Sequence, residues 1–210
     1  MRLILVRHGE SESNAEMRFG DANTPLTERG HRQAKATARW LADRFKPTVI
    51  VSSTMKRALD TARYLAEPFG LTPVANRLMR EVDLGALENL TPAEAAERHS
   101  ETWERNLDFE DLDFGWPGGE TRRQFFARVR LAFSQLPSLG PERDLLVVSH
   151  GGVLSSYLAE LLDGRPELWH RYHVGNCSVT TLVVQGDSVS VLDMNNTSHL
   201  GDIETIQALS

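Results

Sequence analysis

Apolar residues follow two alternating patterns along this chain. In the first, several of them stand next to one another, which is typical of a strand that is buried on both faces. Three such runs are Leu3–Val6, Thr48–Ser53 and Asp144–Ser149. In the second pattern, apolar residues recur every three or four positions, which predicts helices with one buried face. Three such stretches begin at Thr27, Met55 and Thr121.

Capping residues mark the beginnings of the predicted helices. Thr27 is placed to cap the first of them, and the second is expected to run from Met55 to Phe69. TPAE (Thr91–Glu94) has the pattern of a capping box with proline at the first helical position, and a similar box occurs at Thr121–Gln124. Near the end of the chain, two β-branched runs flank Gly186-Asp187, which predicts a hairpin.

Strands that alternate with helices predict an α/β fold. We expect three layers, α/β/α, in which a mainly parallel central sheet is covered by helices on both faces. No repeat or low-complexity linker interrupts the sequence, so we expect a single domain over residues 1–210. Ligands of such folds bind beyond the carboxyl ends of the strands, which directs attention to the residues that follow each run.

The composition narrows the class of protein. The chain has 210 residues, of which 40% are hydrophobic and 25% charged, as in ordinary globular proteins. No apolar run is long enough to span a bilayer and no signal-type segment precedes the first strand, so we expect no membrane association and a cytoplasmic location. The single cysteine, Cys177, excludes an internal disulfide, and the net charge of −6 argues against a nucleic-acid partner.

Three polar clusters stand where predicted strands end. They are Arg7-His8-Gly9, Ser52-Ser53 followed by Arg57, and Ser149-His150-Gly151. A mainly parallel sheet brings them to the same edge, where two guanidinium groups can grip phosphate oxygens and glycine N–H groups can approach an anion closely. The sequence therefore predicts a site for a dianion.

Two imidazoles in such a site suggest covalent chemistry. A neutral imidazole can attack phosphorus and carry the phosphoryl group. A Ser–His triad is the competing interpretation, but the chain has no G-x-S-x-G nucleophile elbow. His8 and His150 are far apart without H-x-x-x-H spacing, so we expect no metal ion and no other cofactor. Each histidine alone would be interpreted as an ordinary hydrogen-bonded residue. The prediction depends on the expected convergence of both histidines and both arginines at one edge of the sheet.

Seven segments, in order and over nearly the whole chain, resemble the histidine phosphatase superfamily, also called phosphoglycerate-mutase-like. They are RHGESESN (Arg7–Asn14), PLTERGHRQA (Pro25–Ala34), SSTMKRALDTA (Ser52–Ala62), REVDLG (Arg80–Gly85), PGGET (Pro117–Thr121), SHGG (Ser149–Gly152) and NCSVT (Asn176–Thr180). The resemblance implies a phosphoglycerate-mutase-like fold. It also implies a role for each matching residue: His8 as the nucleophile that becomes phosphohistidine, Glu81 as the proton donor, and a phosphate pocket of Arg7, Asn14, Arg57, His150 and the Gly151 N–H.

The resemblance implies an enzyme that hydrolyses phosphomonoesters. Our leading expectation is a metal-independent phosphatase of the histidine acid phosphatase type, acting on a small phosphorylated metabolite. The alternative is a cofactor-dependent phosphoglycerate mutase, and a catalytically silent interaction protein of the same fold is a third. The sequence leaves the substrate open among sugar phosphates, phosphoglycerates and their glycosylated forms, nucleotides and cobalamin-pathway phosphates. A homodimer, common among similar proteins, is also left open.

The two enzymatic interpretations differ at three positions. Mutases typically follow the acidic residue with arginine, then tyrosine and lysine, which hold the substrate carboxylate. Here Val82, Leu84 and Pro92 occupy these positions and cannot pair with a carboxylate. Because the chain lacks these groups, we expect water to be the acceptor, unless Arg122, Arg123 or Arg128 folds back to replace them.

A substrate-specificity insertion or lid is expected around residues 86–120. It contains ETWERNLDFEDLDF (Glu101–Phe114), with six acidic residues and one arginine. We favour a solvated surface face for this segment over a lid that repels polyanions. Trp103 and Trp116 beside it are expected to be packing residues. The chain also departs from the family pattern at Ala86–Asn89, which leaves the mouth of the site undefined.

Overall fold

Six strands of the described residues form one sheet. The computed structural model describes residues 1–139, 144–186 and 188–203. The strands are β1 (Arg2–Arg7), β2 (Pro47–Ser53), β3 (Val74–Asn76), β4 (Asp144–Ser149), β5 (Val179–Gln185) and β6 (Ser188–Asn196). Their order is β3-β2-β4-β1-β5-β6, with parallel pairing from β3 to β1 and antiparallel pairing of β5 and β6. This confirms the mainly parallel sheet.

The described part of the chain contains seven α-helices. They are α1 (Glu12–Ala15), α2 (Glu28–Ala42), α3 (Lys56–Ala66), α4 (Pro92–Arg98), α5 (Ser100–Asn106), α6 (Arg122–Ser134) and α7 (Gly151–Asp163). Thr27 caps α2 by accepting from the Gly30 N–H at 3.0 Å. Both predicted capping boxes form, at Thr91 before α4 and at Thr121 before α6. The capping residues predicted from the sequence are therefore confirmed at α2, α4 and α6.

Two helical layers cover the two faces of the sheet. Alternate residues of β1 point to opposite faces, so Leu3 and Leu5 pack in one core and Ile4 and Val6 in the other. The first core includes apolar residues of α6 and α7, and the second includes those of α2 and α3. This arrangement confirms the three-layer α/β/α architecture.

One helix is shorter than its apolar pattern predicts. The stretch from Met55 to Phe69 is α-helical only over Lys56–Ala66 and continues as a 3₁₀ turn over Glu67–Phe69. Pro68 lies in that turn, and it has no N–H with which to extend the α-helical hydrogen bonds. The predicted hairpin forms between β5 and β6 around Gly186, while Asp187 lies outside the described residues. Among described helices, none is long and apolar enough to cross a membrane.

Residues 86–120 surround a small apolar core of their own. Its buried members are Leu87, Ala95, Phe114 and Trp116. Trp103 packs against Trp116 with ring centroids 5.9 Å apart, so both tryptophans are packing residues as expected. The buried guanidinium of Arg122 donates to the backbone carbonyls of Asn106 and Asp108 and so ties this segment to α6. The segment is a packed wall and not a loose loop.

Two features hold the carboxyl edge of the sheet in place. Arg7 of β1 is in register with Ser149 of β4, and the next residue, His8, donates its backbone N–H to the Ser149 carbonyl at 2.9 Å. The loop that follows His8 lies directly against α2. A Cβ on Gly30 would stand 2.0 Å from the Glu10 carbonyl oxygen, so only glycine allows this contact. The loop therefore rests on backbone on both sides.

Candidate active site

The structure brings four of the predicted residues into one buried cluster at the carboxyl edge of the sheet. The His8 and His150 rings lie with centroids 5.1 Å apart and planes at 62°. Arg7 and Arg57 are each only 4% exposed. Arg7, His8 and His150 lie at or beyond the ends of β1 and β4, and Arg57 extends from the first turn of α3. The predicted convergence of these clusters is therefore present in the fold.

Two hydrogen bonds define the state of His8. Its Nδ1 lies 2.7 Å from the Gly9 carbonyl, which can only accept, so Nδ1 carries the proton. Its Nε2 accepts from Arg57 Nε at 3.2 Å. Burial, together with the charges of Arg57 and Arg7, lowers the pKa of His8 well below its ordinary value. The ring is neutral, and Nε2 carries the free electron pair that a nucleophile needs.

His150 is the N-cap residue of α7, and its ring lies next to that of His8. Its Nε2 lies 2.8 Å from Ser53 Oγ, and its Nδ1 is buried without a hydrogen-bond partner among the described residues. Burial lowers the pKa of His150 well below its ordinary value, helped by the charges of Arg57 and Arg7. His150 is therefore a second neutral imidazole next to the first.

The two arginines are held by carbonyl groups and not by carboxylates. Arg7 Nη1 donates to the Val174 carbonyl at 2.7 Å, and its Nε is buried without a partner in the described structure. Arg57 Nη1 donates to the Asp21 carbonyl at 2.6 Å. Burial lowers the pKa of Arg7 to about 10, which leaves it charged at neutral pH. The cluster thus keeps two positive charges that an anion can neutralise.

Glu81 lies at the N-terminus of α7, beside this cluster. Its Oε2 accepts the Gly152 N–H at 3.0 Å and its Oε1 accepts the Val82 N–H at 3.0 Å. A Cβ on Gly152 would stand 2.6 Å from Oε1, so glycine makes room for the carboxyl group. Glu81 acts electrostatically on both Arg7 and Arg57. Glu81 is thus the carboxyl group whose charge acts on both cations of the cluster.

The remaining two predicted residues supply N–H groups. Asn14 Oδ1 accepts from the backbone and hydroxyl of Ser11 and from Asn176 Nδ2 at 3.2 Å. Its amide nitrogen is therefore the group that can donate to a ligand. Gly151 contributes the first N–H of α7, and its N-cap, His150, makes no side-chain cap. Helix N-termini of this kind favour anions.

Two residues near the site were not given roles from the sequence. Ser53 contacts His150, and Asn176 donates its amide to the His8 carbonyl at 3.1 Å. Both are 0% exposed. Ser53 ends a predicted strand and Asn176 lies in a segment that matches the family, so the sequence indicates that both positions are near the site. Their partners could not be read from the sequence, because the contacts join distant parts of the chain.

Three of the six acidic residues in the segment Glu101–Phe114 are paired with arginines. Asp111 pairs with Arg105 at 2.6 Å, and Glu110 pairs with Arg165 at 2.6 Å. Asp113 pairs with Arg123 at 2.8 Å. These contacts are exposed, which agrees with the favoured interpretation of a solvated face.

The arginines that could have replaced the missing mutase cations are already bound to other groups of the chain. Arg122 is bound to carbonyls of the segment before α6, and Arg123 is paired with Asp113. Arg128 is paired with Glu120 and donates to the Leu78 carbonyl at 2.8 Å. In the described residues, no group of three or more His, Cys, Asp or Glu side chains is arranged to hold a metal ion.

Comparisons with known proteins give a match to one family model. A family model described as "Histidine phosphatase superfamily (branch 1)" matches residues 3–197, a range that includes all seven predicted site residues. Among solved structures, the α-ribazole phosphatase from Shigella flexneri has a TM-score of 0.86 at 26% identity, covering 93% of this chain and 96% of that chain. The match therefore extends over both sequence and fold.

Relatives in sequence carry two kinds of name. A glucosyl-3-phosphoglycerate phosphatase of Mycobacterium tuberculosis is 35% identical over 194 residues, which are 86% of this chain and 84% of that protein. A "Probable phosphoglycerate mutase GpmB" of Cronobacter sakazakii is 32% identical over 186 residues, covering 88% and 86%. The chain spans only 55% of the length of three mycobacterial proteins that it also matches at 35% identity.

The neutral histidines predict an acid-sensitive fold. His8 and His150 have lowered pKa values in the folded state and an ordinary value of 6.5 when unfolded. Below that pH the unfolded chain binds protons that the folded chain refuses, so the free energy of unfolding should fall as pH drops. The slope should reach at most about 1.4 kcal/mol per pH unit for each histidine.

Urea unfolding in phosphate-free buffer between pH 7.5 and about 5, above the range in which ordinary carboxylates titrate, measures this slope. The double variant H8Q/H150Q should show a flatter dependence than the wild type, whatever its stability at pH 7.5. H173Q, at an exposed position, should keep the wild-type slope. Parallel curves for the wild type and the double variant would contradict the assignment.

Proposed function

Because this chain belongs to the histidine phosphatase superfamily, we propose that it is a metal-independent phosphomonoesterase that works through phosphohistidine at His8. The observation that carries the proposal is the neutral His8 ring, whose Nε2 lies 3.2 Å from Arg57 Nε within a buried, positively charged cluster. A nucleophile with a free electron pair and two cations beside it fits phosphoryl transfer. We also propose that the enzyme is a phosphatase of the histidine acid phosphatase type.

The first step forms the phosphoenzyme. A phosphomonoester binds with its oxygens to Arg7 and Arg57, and the Arg57 Nε–H that now meets His8 turns to a phosphoryl oxygen. The electron pair of His8 Nε2 is then free to attack phosphorus, and the P–O bond to the leaving group breaks. Glu81, in its carboxylic acid form, gives its proton to the departing alkoxide.

The second step returns the enzyme to its starting state. The Glu81 carboxylate takes a proton from water as the water oxygen attacks phosphorus. The N–P bond breaks, its electrons return to His8 Nε2, and inorganic phosphate leaves. During both steps, Arg7, Arg57 and His150 stabilise the oxygens of the transferring group, and the Asn14 amide and the Gly151 N–H are placed to add to them.

The substrate we propose is a small phosphorylated metabolite. Names of relatives include phosphatases of a glucosyl phosphoglycerate and of α-ribazole phosphate, which are small phosphomonoesters. The packed wall of residues 86–120 is proposed as the element that selects among such substrates. A single domain and a cytoplasmic location remain predictions.

Phosphorylation of His8 during turnover tests the mechanism directly. Brief incubation with labelled p-nitrophenyl phosphate, followed by quenching in base, should trap a phosphoprotein that is stable in base and labile in acid. The variant H8A should fold but yield no such species and lose nearly all activity. Label on a serine, or full activity in H8A, would exclude this nucleophile.

The role of Glu81 is tested by varying the leaving group. E81Q should slow hydrolysis of alkyl phosphates by roughly a hundredfold or more, because a poor leaving group needs the proton. p-Nitrophenyl phosphate should lose much less, since its leaving group departs without protonation. The matched control is E88Q, which changes another carboxylate with electrostatic influence on Arg57. Equal losses on both substrates for E81Q would remove the acid role.

A phosphoglycerate mutase is the second candidate, because three of the relatives that the chain matches are named probable phosphoglycerate mutases. The structure supports hydrolysis instead. Val82 packs against the core next to α6, Leu84 packs in the apolar cluster of residues 86–120, and Pro92 is the first residue of α4. None of these three offers a charge to a substrate carboxylate.

Phosphorus NMR distinguishes the two candidates. With 3-phosphoglycerate and catalytic 2,3-bisphosphoglycerate, inorganic phosphate should accumulate and 2-phosphoglycerate should not. Alkyl phosphates supplied in parallel show whether the enzyme is active if phosphoglycerates are not its substrates. Faster formation of 2-phosphoglycerate than of phosphate would identify a mutase.

A further inference from the structure

We propose that Ser53 is a positioning residue that fixes His150 in the tautomer with the proton on Nδ1, so that His150 can donate a neutral hydrogen bond to the transferring phosphoryl group. The proposal rests on the proposed function for what His150 does, but the tautomer itself is a property of the free protein. Ser53 is the last residue of β2, and its hydroxyl lies 2.8 Å from His150 Nε2.

A second contact takes up part of the hydrogen-bonding capacity of the Ser53 hydroxyl. The backbone N–H of Met55 donates to Ser53 Oγ at 3.2 Å. This occupies an acceptor position of the hydroxyl and leaves its own proton to be given to another group. Ser53 and His150 are both 0% exposed, so bulk water is not at hand as a partner for either. Among the described residues, His150 Nε2 is therefore the acceptor within reach of the Ser53 hydroxyl proton.

The two neutral tautomers of His150 differ in how many buried polar groups they leave unpaired, and this difference decides the direction of the Ser53–His150 hydrogen bond. If Nε2 carried the proton, it would donate to Ser53 Oγ, and the Ser53 hydroxyl proton would have no acceptor among the described residues. His150 Nδ1 would also be an unpaired acceptor. If Nδ1 carries the proton, Ser53 donates to Nε2, and only one donor, the Nδ1–H, remains without a partner. Buried polar groups are costly to leave unpaired, so the second arrangement is favoured.

The one group left over is a donor in the place where an anion binds. His150 lies edge to face with His8, and its neighbours Arg7 and Arg57 are both cationic. The same surroundings keep the ring neutral, so its contribution is a hydrogen bond and not a charge. With the opposite tautomer, Nδ1 would direct an electron pair at the phosphoryl oxygens and repel them. The hydroxyl of Ser53 thus decides whether His150 helps or hinders.

Ser52 provides a matched control in the same strand. It is equally buried, and its hydroxyl donates to the Ser53 carbonyl at 3.0 Å without contacting His150. S52A therefore removes one buried hydroxyl next to Ser53 and leaves the contact with His150 in place. S53T keeps a hydroxyl at the position and should restore what S53A loses.

Nitrogen-15 NMR of histidine-labelled protein measures the tautomer directly. In the wild type, His150 Nδ1 should resonate as a protonated nitrogen and Nε2 as an unprotonated one, with the signals assigned by their loss in H150Q. S53A should shift both signals towards the average of the two tautomers, while S52A and S53T keep the wild-type values. A protonated Nε2 in the wild type overturns the proposal even if S53A does not fold. So does an unchanged tautomer in S53A.

Binding of inorganic phosphate and vanadate adds a functional arm. Vanadate imitates the five-coordinate geometry of the transition state, where charge on the oxygens is largest, so S53A should weaken vanadate binding more than phosphate binding. Turnover should fall on the order of tenfold to a hundredfold in S53A, as loss of one oriented buried hydrogen bond implies, and by less than threefold in S52A. Equal effects of S52A and S53A would reduce Ser53 to a packing role. An inactive wild type with the expected tautomer would count against the proposed function and not against this inference.

Discussion

Two guanidinium groups lie buried beside two imidazoles, and none of the described carboxylates forms an ion pair with either guanidinium. Burial of charge is expensive unless it is paired or hydrogen-bonded, and here carbonyl groups supply only part of the compensation. Both histidines respond by remaining neutral, because a further positive charge would add repulsion to desolvation. The rest of the site is a consequence of this concentration of positive charge.

The fold makes such a concentration sustainable by holding each group from the backbone. β1 and β4 are neighbours in the interior of the sheet, and their shared register places Arg7 opposite Ser149. The Gly30 contact supports the loop after His8 from the α2 side. In the loop after His8, the buried Glu10 carboxylate is paired with Arg29 of α2 at 2.9 Å, which adds a side-chain tie to these backbone contacts. A site built in this way keeps its geometry while charges and protons move through it.

Much of this arrangement can be predicted from the sequence, and what cannot be predicted has a physical reason. Continuous apolar runs and capping residues are local signals, so β1, β4 and the starts of α2, α4 and α6 could be predicted. The convergence of Arg7, His8 and His150 follows from the rule that parallel strands end at one edge. The pairing of Ser53 with His150, and the arginine partners of the acidic segment, depend on contacts between distant residues, which no local pattern encodes. The early end of α3 could also have been predicted, since Pro68 cannot donate a hydrogen bond that would extend the helix.

The unpaired buried donors of Arg7 and His150 also have a thermodynamic consequence. A phosphate-bearing ligand gives these donors acceptors and neutralises the guanidinium charges, and it can do so only in the folded chain. By mass action, a ligand present at about a hundred times its dissociation constant adds roughly 2.7 kcal/mol to the stability of the fold. The rise in melting temperature caused by each member of a library of phosphorylated metabolites would therefore rank these compounds by binding alone. A variant without the His8 nucleophile would allow the same ranking for substrates that the wild type consumes.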